Sequence, residues 1–299
     1  MTEGRSLTRV QNFESRRKLT ETRYIGVTRF SVVKAKNSGF RIDDRDREAY
    51  LNELFDWDRL ADRMFIFENV SAPILGHFGE NYDFTHLVQY SPELPVTWKR
   101  RLYEIAERYP CIHPVEVVDE DIAETVHKFV LTWERDFIGK FVWFRVDDDD
   151  ILSVDYLDAV DRYVSDATIG YALSFGLVYS GIFSNGHFFD FHRARSPYNS
   201  QGQAYICHAN LPMRQIQSPG MVPHHQPNHY MPVIVSDLEP YAFWTRHPLQ
   251  DSILSTSSAG AKVANLQADL GKHGFADFPE VLRKFPGIGT LARSGEVDI

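Results

Sequence analysis

Four consecutive aspartates, Asp147, Asp148, Asp149 and Asp150, follow directly on the apolar run Phe141-Val-Trp-Phe-Arg-Val146. Asp155, Asp158, Asp161 and Asp166 come soon after, opposed only by Arg162. Two like charges about 4 Å apart repel by roughly 1 kcal/mol in water and by about 4 kcal/mol at an effective dielectric of 20. A run of this kind therefore calls for compensation. A hard divalent cation held through oxygen is the natural counterion, and Mg²⁺ or Mn²⁺ sites are typically completed by substrate phosphates. The bland alternative is a solvated acidic turn leading into a helix near Val154, since Asp is favoured around helix N-termini. Four acids after a buried strand weigh against it. A calcium EF-hand is excluded, because the sixth loop position is Leu152 and the twelfth Asp158, where Gly and Glu are needed.

Other chemistry-bearing patterns are sparse. The sequence has no Walker phosphate loop, no His-Glu-x-x-His and no Gly-x-Ser-x-Gly. Gly287-Ile-Gly-Thr-Leu-Ala292 matches a degenerate dinucleotide fingerprint but leaves no length for a following βαβ unit. Cys111 and Cys207 cannot make a disulfide framework or a zinc ribbon. The net charge of −9 without a basic block argues against nucleic-acid binding. No apolar run approaches the roughly 20 residues of a membrane span, and no apolar secretion signal follows Met1, so the cytoplasm is the expected compartment. With 43% hydrophobic and 24% charged residues the chain is an ordinary globular one.

The elements that must position the aspartates read as follows. Residues 1–23 form a polar, mildly basic arm, with docking at an anionic lipid surface a conceivable role. Tyr24–Val33 is the first strand, and a helix follows over about Glu48–Met64. Phe84–Tyr90 is a strand, Trp98–Tyr109 a helix, Ile112–Val118 a strand and Asp121–Arg135 a helix. Phe141–Val146 is a strand buried on both faces except at Arg145, and Val154–Tyr163 is helical. Alternating strands and helices imply a mixed, mostly parallel α/β sheet covered by helices, in which ligands bind at the carboxyl ends of strands. Gly170–Tyr179 and Gly181–Phe191 read as antiparallel strands with Asn185-Gly186 as a tight turn. The Pro-, Asn-, Gln- and His-rich stretch Ser196–Tyr230 shows few regular signals, and Lys262–Leu270 and Pro279–Phe285 are weakly helical. The expected organisation is an arm (1–23), a nucleotide-sugar-binding half (24–165), an acceptor-side half of the same domain (166–260) and a helical tail (261–299).

The segment Arg145-Val-Asp-Asp-Asp-Asp-Ile-Leu-Ser153 resembles the Asp-x-Asp region of GT-A glycosyltransferases. The chain is more specifically similar to the rhamnosyltransferase family of bacterial polysaccharide-synthesis enzymes. Thr28-Arg-Phe-Ser31, Leu54-Phe-Asp-Trp-Asp-Arg-Leu-Ala-Asp-Arg63 with Phe67-Glu68, Ser91-Pro-Glu-Leu-Pro95 with Arg101-Leu102, and Trp244-Thr-Arg-His247 carry that similarity, over roughly residues 24–255. The resemblance implies a GT-A-like fold and a Mn²⁺- or Mg²⁺-dependent transferase. It would move a sugar from a nucleotide-sugar donor to a glycan or lipid-linked acceptor in surface polysaccharide synthesis, with peripheral contact at the inner membrane.

Mapped onto this chain, the resemblance places Thr28, Arg29 and Phe30 around the nucleotide and Asp147 and Asp149 in the Asp-x-Asp pattern, with Asp148 or Asp150 as an alternative register. Arg145 could pair with these acids or with a phosphate. The resemblance also implies a late metal ligand. His208, His224, His225, His229 and His247 are candidates, and Trp244-Thr-Arg-His247 favours Arg246 and His247 for diphosphate and metal. An inverting transfer needs a carboxylate base, for which Asp190, Asp237, Glu239 and Asp251 are available without a diagnostic motif. Aromatics such as Tyr198, Tyr205 and Trp244 could stack on sugar faces, though most suit a core. The rival readings are a Mg²⁺-dependent nucleotidyltransferase or pyrophosphohydrolase, and a non-catalytic carbohydrate-binding protein.

Overall fold

The computed structural model describes residues 22–33, 47–219, 223–250 and 258–292. All but the last two residues of the expected arm lie outside them. Those two open the first strand, β1 (Thr22–Arg29), because Arg23 is anchored by Asp83 and Glu134 and by the ring faces of Trp133 and Phe137. The strand ends at Arg29 rather than Val33, where Ser31, at φ 50°, turns the chain.

The single helix expected over 48–64 is two, α1 (Arg47–Leu54) and α2 (Trp57–Ile66). Asp56 makes the break by capping α2, its carboxylate accepting from Arg59 N at 2.9 Å. A π-helical stretch, Phe67–Ser71, carries α2 into α3 (Ala72–Asn81). The sequence pattern does not flag α3, because Gly76 and Gly79 count against a helix. They stand where a side chain would collide with Tyr109 and Cys111, so the glycines let α3 lie close on its neighbours.

Next come β2 (Phe84–Tyr90), α4 (Val96–Arg108), β3 (Ile112–Glu116), α5 (Ile122–Val130), β4 (Ile138–Arg145), β5 (Ile151–Leu152) and α6 (Tyr156–Asp161). The alternation is as expected, with shifted ends. β6 (Ala172–Phe175) is followed by β7 (Leu177–Ser184) and β8 (His187–Arg195). Asn185-Gly186 does close a two-residue hairpin, with φ of 53° and 78°, but it joins β7 to β8, while β6 enters a different sheet. The stretch expected to be irregular supplies β9 (Ala204–Asn210) and β10 (Gln215–Gln217). β11 (Val233–Ser236), β12 (Ala242–Arg246), α7 (Ala259–Leu270), β13 (Gly274–Phe275), α8 (Phe278–Lys284) and α9 (Pro286–Leu291) complete the described chain.

The main sheet runs β11-β6-β9-β4-β1-β2-β3, with β10 alongside β9. β3, β2, β1 and β4 are parallel neighbours, and β9 is antiparallel to both β4 and β6. The fold is thus mixed α/β with a mainly parallel central sheet. Ile25, Val27, Phe141 and Trp143 face α5, whereas Tyr24, Phe84, Val88 and Phe144 face Leu60, Phe78, Leu102 and Ile105. Burial on both faces explains the unbroken apolar runs of β1 and β4. Each such side chain contributes roughly 1.5–3 kcal/mol. The second sheet runs β13-β8-β7-β12-β5. Among the described residues no helix is long and apolar enough to cross a membrane.

Candidate active site

Because β1 and β4 are parallel and paired, both deliver their carboxyl ends to one edge, with Val27 opposite Arg145 and Val146 N donating to Val27 O. The aspartates begin there. Asp150 N closes a turn onto Asp147 O at 3.1 Å, and the chain continues into the two-residue strand β5. β5 pairs antiparallel with β12, Phe243 opposite Ile151. That pairing carries the end of β12 across the aspartate turn, so that Thr245 N donates to Asp150 Oδ1 at 3.1 Å and His247 Nε2 donates to Asp149 Oδ2 at 2.9 Å. His247 is fully buried.

Each aspartate has a distinct environment. Asp147, whose side chain is 37% exposed, accepts from Arg145 at 2.8 Å and from Ser200 Oγ at 3.2 Å. Burial opposes its ionisation, but Arg145 outweighs burial and holds the carboxyl below its usual range. Asp148 is paired with Arg63 of α2, yet burial, with Asp149 adding repulsion, pushes its carboxyl up to about 7. For Asp149, burial is overcome by Arg63, 3.1 Å away, and by the His247 hydrogen bond, so it stays ionised well below the usual range. Asp150 is raised well above its usual range by burial and by Asp149 and Asp147, and Gln201 Nε2 donates to it at 2.8 Å. Arg29 lies within electrostatic reach of Arg145 and Asp147. Thr28 Oγ1 sits 2.9 Å from His86 Nε2, and Thr28 lines a small cavity with Phe67, Ser71, Val146, Asp147 and Asp150.

The family described as "Putative rhamnosyl transferase" matches residues 23–252. The chain belongs to this family. It is a glycosyltransferase, and the aspartate turn with its cationic partners is its candidate active site. No curated protein matches the sequence. Among the solved structures that resemble the enzyme, the following three do so at low scores. The inositol-1-phosphate CTP transferase of T. maritima is 11% identical, with a TM-score of 0.34 over 86% of this chain and 99% of its own. TarS of S. aureus (residues 1–349) is 10% identical, with 0.34 over 83% and 70%. The mannosyltransferase PcManGT of Pyrobaculum calidifontis, solved with GDP-Man and Mn²⁺, is 14% identical, with 0.33 over 89% and 68%. The family match carries the assignment.

The other residues expected from the sequence of this glycosyltransferase lie as follows. Phe30 is buried with its ring against Phe67, so its side chain is core and offers no surface to a nucleotide. Alternation along β12 turns Arg246 away from Thr245; its guanidinium lies over Trp244 and 3.4 Å from Asp269 of α7. Asp190, at φ 56° in β8 of the second sheet, accepts from His192 at 2.8 Å. Asp237 follows β11 at the same carboxyl edge as the aspartates and pairs with Arg195 at 3.0 Å. In strand order it is three strands from β4, roughly 14 Å at the usual spacing. Asp251 lies outside the described residues. His224 and His225 lie with ring centroids 5.6 Å apart, and among the described residues no three His, Cys, Asp or Glu side chains are disposed around a common metal position.

Sequence reasoning missed Arg63 and the segment Ser200-Gln201-Gly202. Arg59 and Arg63 are both buried on α2 beside Leu60 and Met64. An i, i+4 pair of arginines on the apolar face of a helix was the available signal. Gly202, at φ 68°, donates from its N–H to Arg145 O, and a side chain there would strike Leu152 and Tyr156 at 2.8 Å.

The donors suit a divalent cation of the Mn²⁺ or Mg²⁺ class. Adjacent ligands of an octahedral ion at 2.0–2.1 Å are about 3 Å apart; Asp149 Oδ2 and His247 Nε2 lie 2.9 Å apart, joined by a hydrogen bond that a cation would have to replace. Two protein donors suffice where a diphosphate supplies the rest.

Proposed function

We propose that this glycosyltransferase is divalent-metal-dependent and moves a hexose, with rhamnose the family's suggestion, from a nucleotide donor to a glycan or lipid-linked acceptor in surface polysaccharide synthesis. A cytoplasmic location with peripheral contact at the inner membrane belongs to the same proposal. The observation that carries it is the convergence of Asp149 and His247 at 2.9 Å, beside Arg63 and Arg145, at the carboxyl edge of β1 and β4.

Asp149 and His247 would hold the cation, which would supply Lewis-acid stabilisation of the departing diphosphate. Asp147, the most exposed of the four aspartates of the turn, would accept from the donor's ribose hydroxyls, with Arg145 fixing its orientation. Thr28 and Arg29 would border the nucleotide. Asp150 keeps the turn closed by accepting from Thr245 N and Gln201. Residues 24–165 would serve the donor and 166–260 the acceptor. Of the four candidate bases, Asp237 suits proton abstraction from the acceptor hydroxyl best, since it shares the aspartates' edge, whereas Glu239 is paired with Lys284.

Thermal shifts with UDP, dTDP and GDP, with and without Mn²⁺, test the donor site. At least one diphosphate should stabilise the wild type only when Mn²⁺ is present, and Asp149→Ala should abolish the effect. No response to any diphosphate would sink the proposal. With the donor identified, Asp237→Asn should reduce turnover at least a hundredfold while leaving that shift intact.

A further inference from the structure

Tyr198 stands in the left-handed backbone region, at φ 61°, a conformation that a bulky residue rarely adopts. Its N–H donates to the buried hydroxyl of Ser174 at 3.0 Å, which pins the backbone there. The side chain is half-buried, yet it belongs to none of the apolar clusters. Among the described residues its hydroxyl has no hydrogen-bond partner and its ring meets no other aromatic. Tyr205, by contrast, stacks on Trp143 within the core. Residues held in sparsely populated backbone regions cluster at active sites and ligand clamps, where the surrounding structure enforces them.

The segment around Tyr198 runs along the carboxyl edge of the main sheet. At one end Ser196 N donates to Gly176 O at 2.7 Å, and Gly176 lies against Asp237, whose Oδ1 would be 2.0 Å from a side-chain carbon at that glycine. Asn199 Nδ2 donates to Phe175 O and Ser196 O, keeping the segment on the end of β6. At the other end Ser200 Oγ donates to Asp147 Oδ2 at 3.2 Å. Tyr198 is thus the midpoint between the carboxylate assigned to the donor's ribose and the carboxylate assigned to the acceptor's hydroxyl. We infer that its ring is the stacking platform for the pyranose ring of the acceptor. The inference rests on the transfer reading above and deepens it by assigning the acceptor contact. An aromatic ring offers a flat apolar face to the C–H bonds of one sugar face. Stacking leaves the hydroxyls at the sugar's rim free, one of them for Asp237. The donor's hexose is the other pyranose of the reaction, and the test separates the two.

Wild type, Tyr198→Phe, Tyr198→Asn and Tyr198→Gly are compared, each saturated with Mg²⁺ and whichever of UDP, dTDP or GDP stabilises it. The probes are the methyl glycosides of glucose, galactose, mannose and rhamnose, followed by saturation-transfer-difference NMR. At least one glycoside should receive saturation from wild type and Tyr198→Phe, concentrated on the C–H protons of one ring face. Tyr198→Asn and Tyr198→Gly should weaken that glycoside by about fivefold or more, the worth of one aromatic contact. Both should bind the diphosphate, and UDP-glucose, dTDP-rhamnose or GDP-mannose, as wild type does. Asn is at home in left-handed backbone, so Tyr198→Asn should also melt no lower than wild type. Undiminished glycoside binding by either folded variant overturns the inference, as does a loss confined to nucleotide sugars, which would put Tyr198 on the donor side. A lowered Tm accompanying lost glycoside binding makes the ring a structural element and overturns it too. Should both variants fail to fold, wild-type saturation spread evenly over the sugar's protons, or absent for every glycoside, overturns it while leaving the donor site standing. Failure of every diphosphate to bind the wild type refutes the transfer reading and the inference with it.

Discussion

Lys284 at the end of α8 is fully buried, yet its ammonium reaches Asp155 at 2.8 Å, Glu239 at 3.0 Å and the ring of Tyr241 at 4.4 Å. Its backbone carbonyl accepts from Val154 N. It thereby ties α8 to the chain after β5 and to the loop before β12, the two strands that set the site. Removing the cation and removing its anions should have unequal costs. Lys284→Met takes away the buried charge itself, and the carboxylates left behind are 31% and 52% exposed and can rehydrate. The expected loss is about 1 kcal/mol, typical of partly exposed ion pairs. The double variant Asp155→Asn, Glu239→Gln leaves a buried ammonium facing only neutral groups and should cost about 3–5 kcal/mol. At roughly 2–4 °C per kcal/mol, differential scanning calorimetry should show Tm falling by about 2–4 °C for Lys284→Met and by at least 6 °C for the double variant. An equal or larger drop for Lys284→Met would refute the reasoning, because it would mean that the ion pairs themselves stabilise the junction.

Two further outcomes follow from buried groups near the site. Gly202→Ala places a methyl group at φ 68° and 2.8 Å from both Leu152 and Tyr156; left-handed backbone costs about 1–2 kcal/mol and overpacking about 1–3. The summed loss of about 2–5 kcal/mol should appear as a lower urea midpoint, and an unchanged midpoint would contradict the geometry. Burial, with a smaller push from His113, brings His86 down to about 3, so it is neutral in the folded protein. The unfolded chain takes up a proton near pH 6.5, so stability is lost as pH falls from 6.5 towards 3, by about 2 kcal/mol at pH 5. His86→Asn should show a correspondingly smaller loss between pH 7 and pH 5 in urea titrations; an unchanged pH slope would assign the acid sensitivity to other groups.

What could be read in advance follows from where the signal lies along the chain. β1 and β4 announce themselves because burial on both faces demands continuous apolar runs, Tyr24–Val27 and Phe141–Phe144. α3 is hidden because its glycines serve close packing against Tyr109 and Cys111, a requirement set by residues thirty or so positions away. β9 is hidden because the apolar part of a central strand, Ala204–Cys207, is only four residues long and lies within a polar stretch. The aspartate run was legible as a charge problem needing a solution. Part of that solution, Arg63, was not, since a helical arginine is ordinarily a solvated one. His247 was suggested only by the family resemblance. Its position beside Asp149 depends on β5, a strand of two residues whose pairing with β12 local propensity cannot specify.

Asp149 and His247 are 98 residues apart, and Lys284 reaches Asp155 across 129. Translation proceeds at about 5–20 residues per second, so the ribosome takes roughly 6–26 s to pass from the α6 cap to the lysine that braces it. For most of that interval the nascent chain carries its aspartates without the histidine strand, and throughout it without the helical brace. A chain released early would hold the acidic turn without its late partners, and the completed site thus reports that synthesis has passed α8.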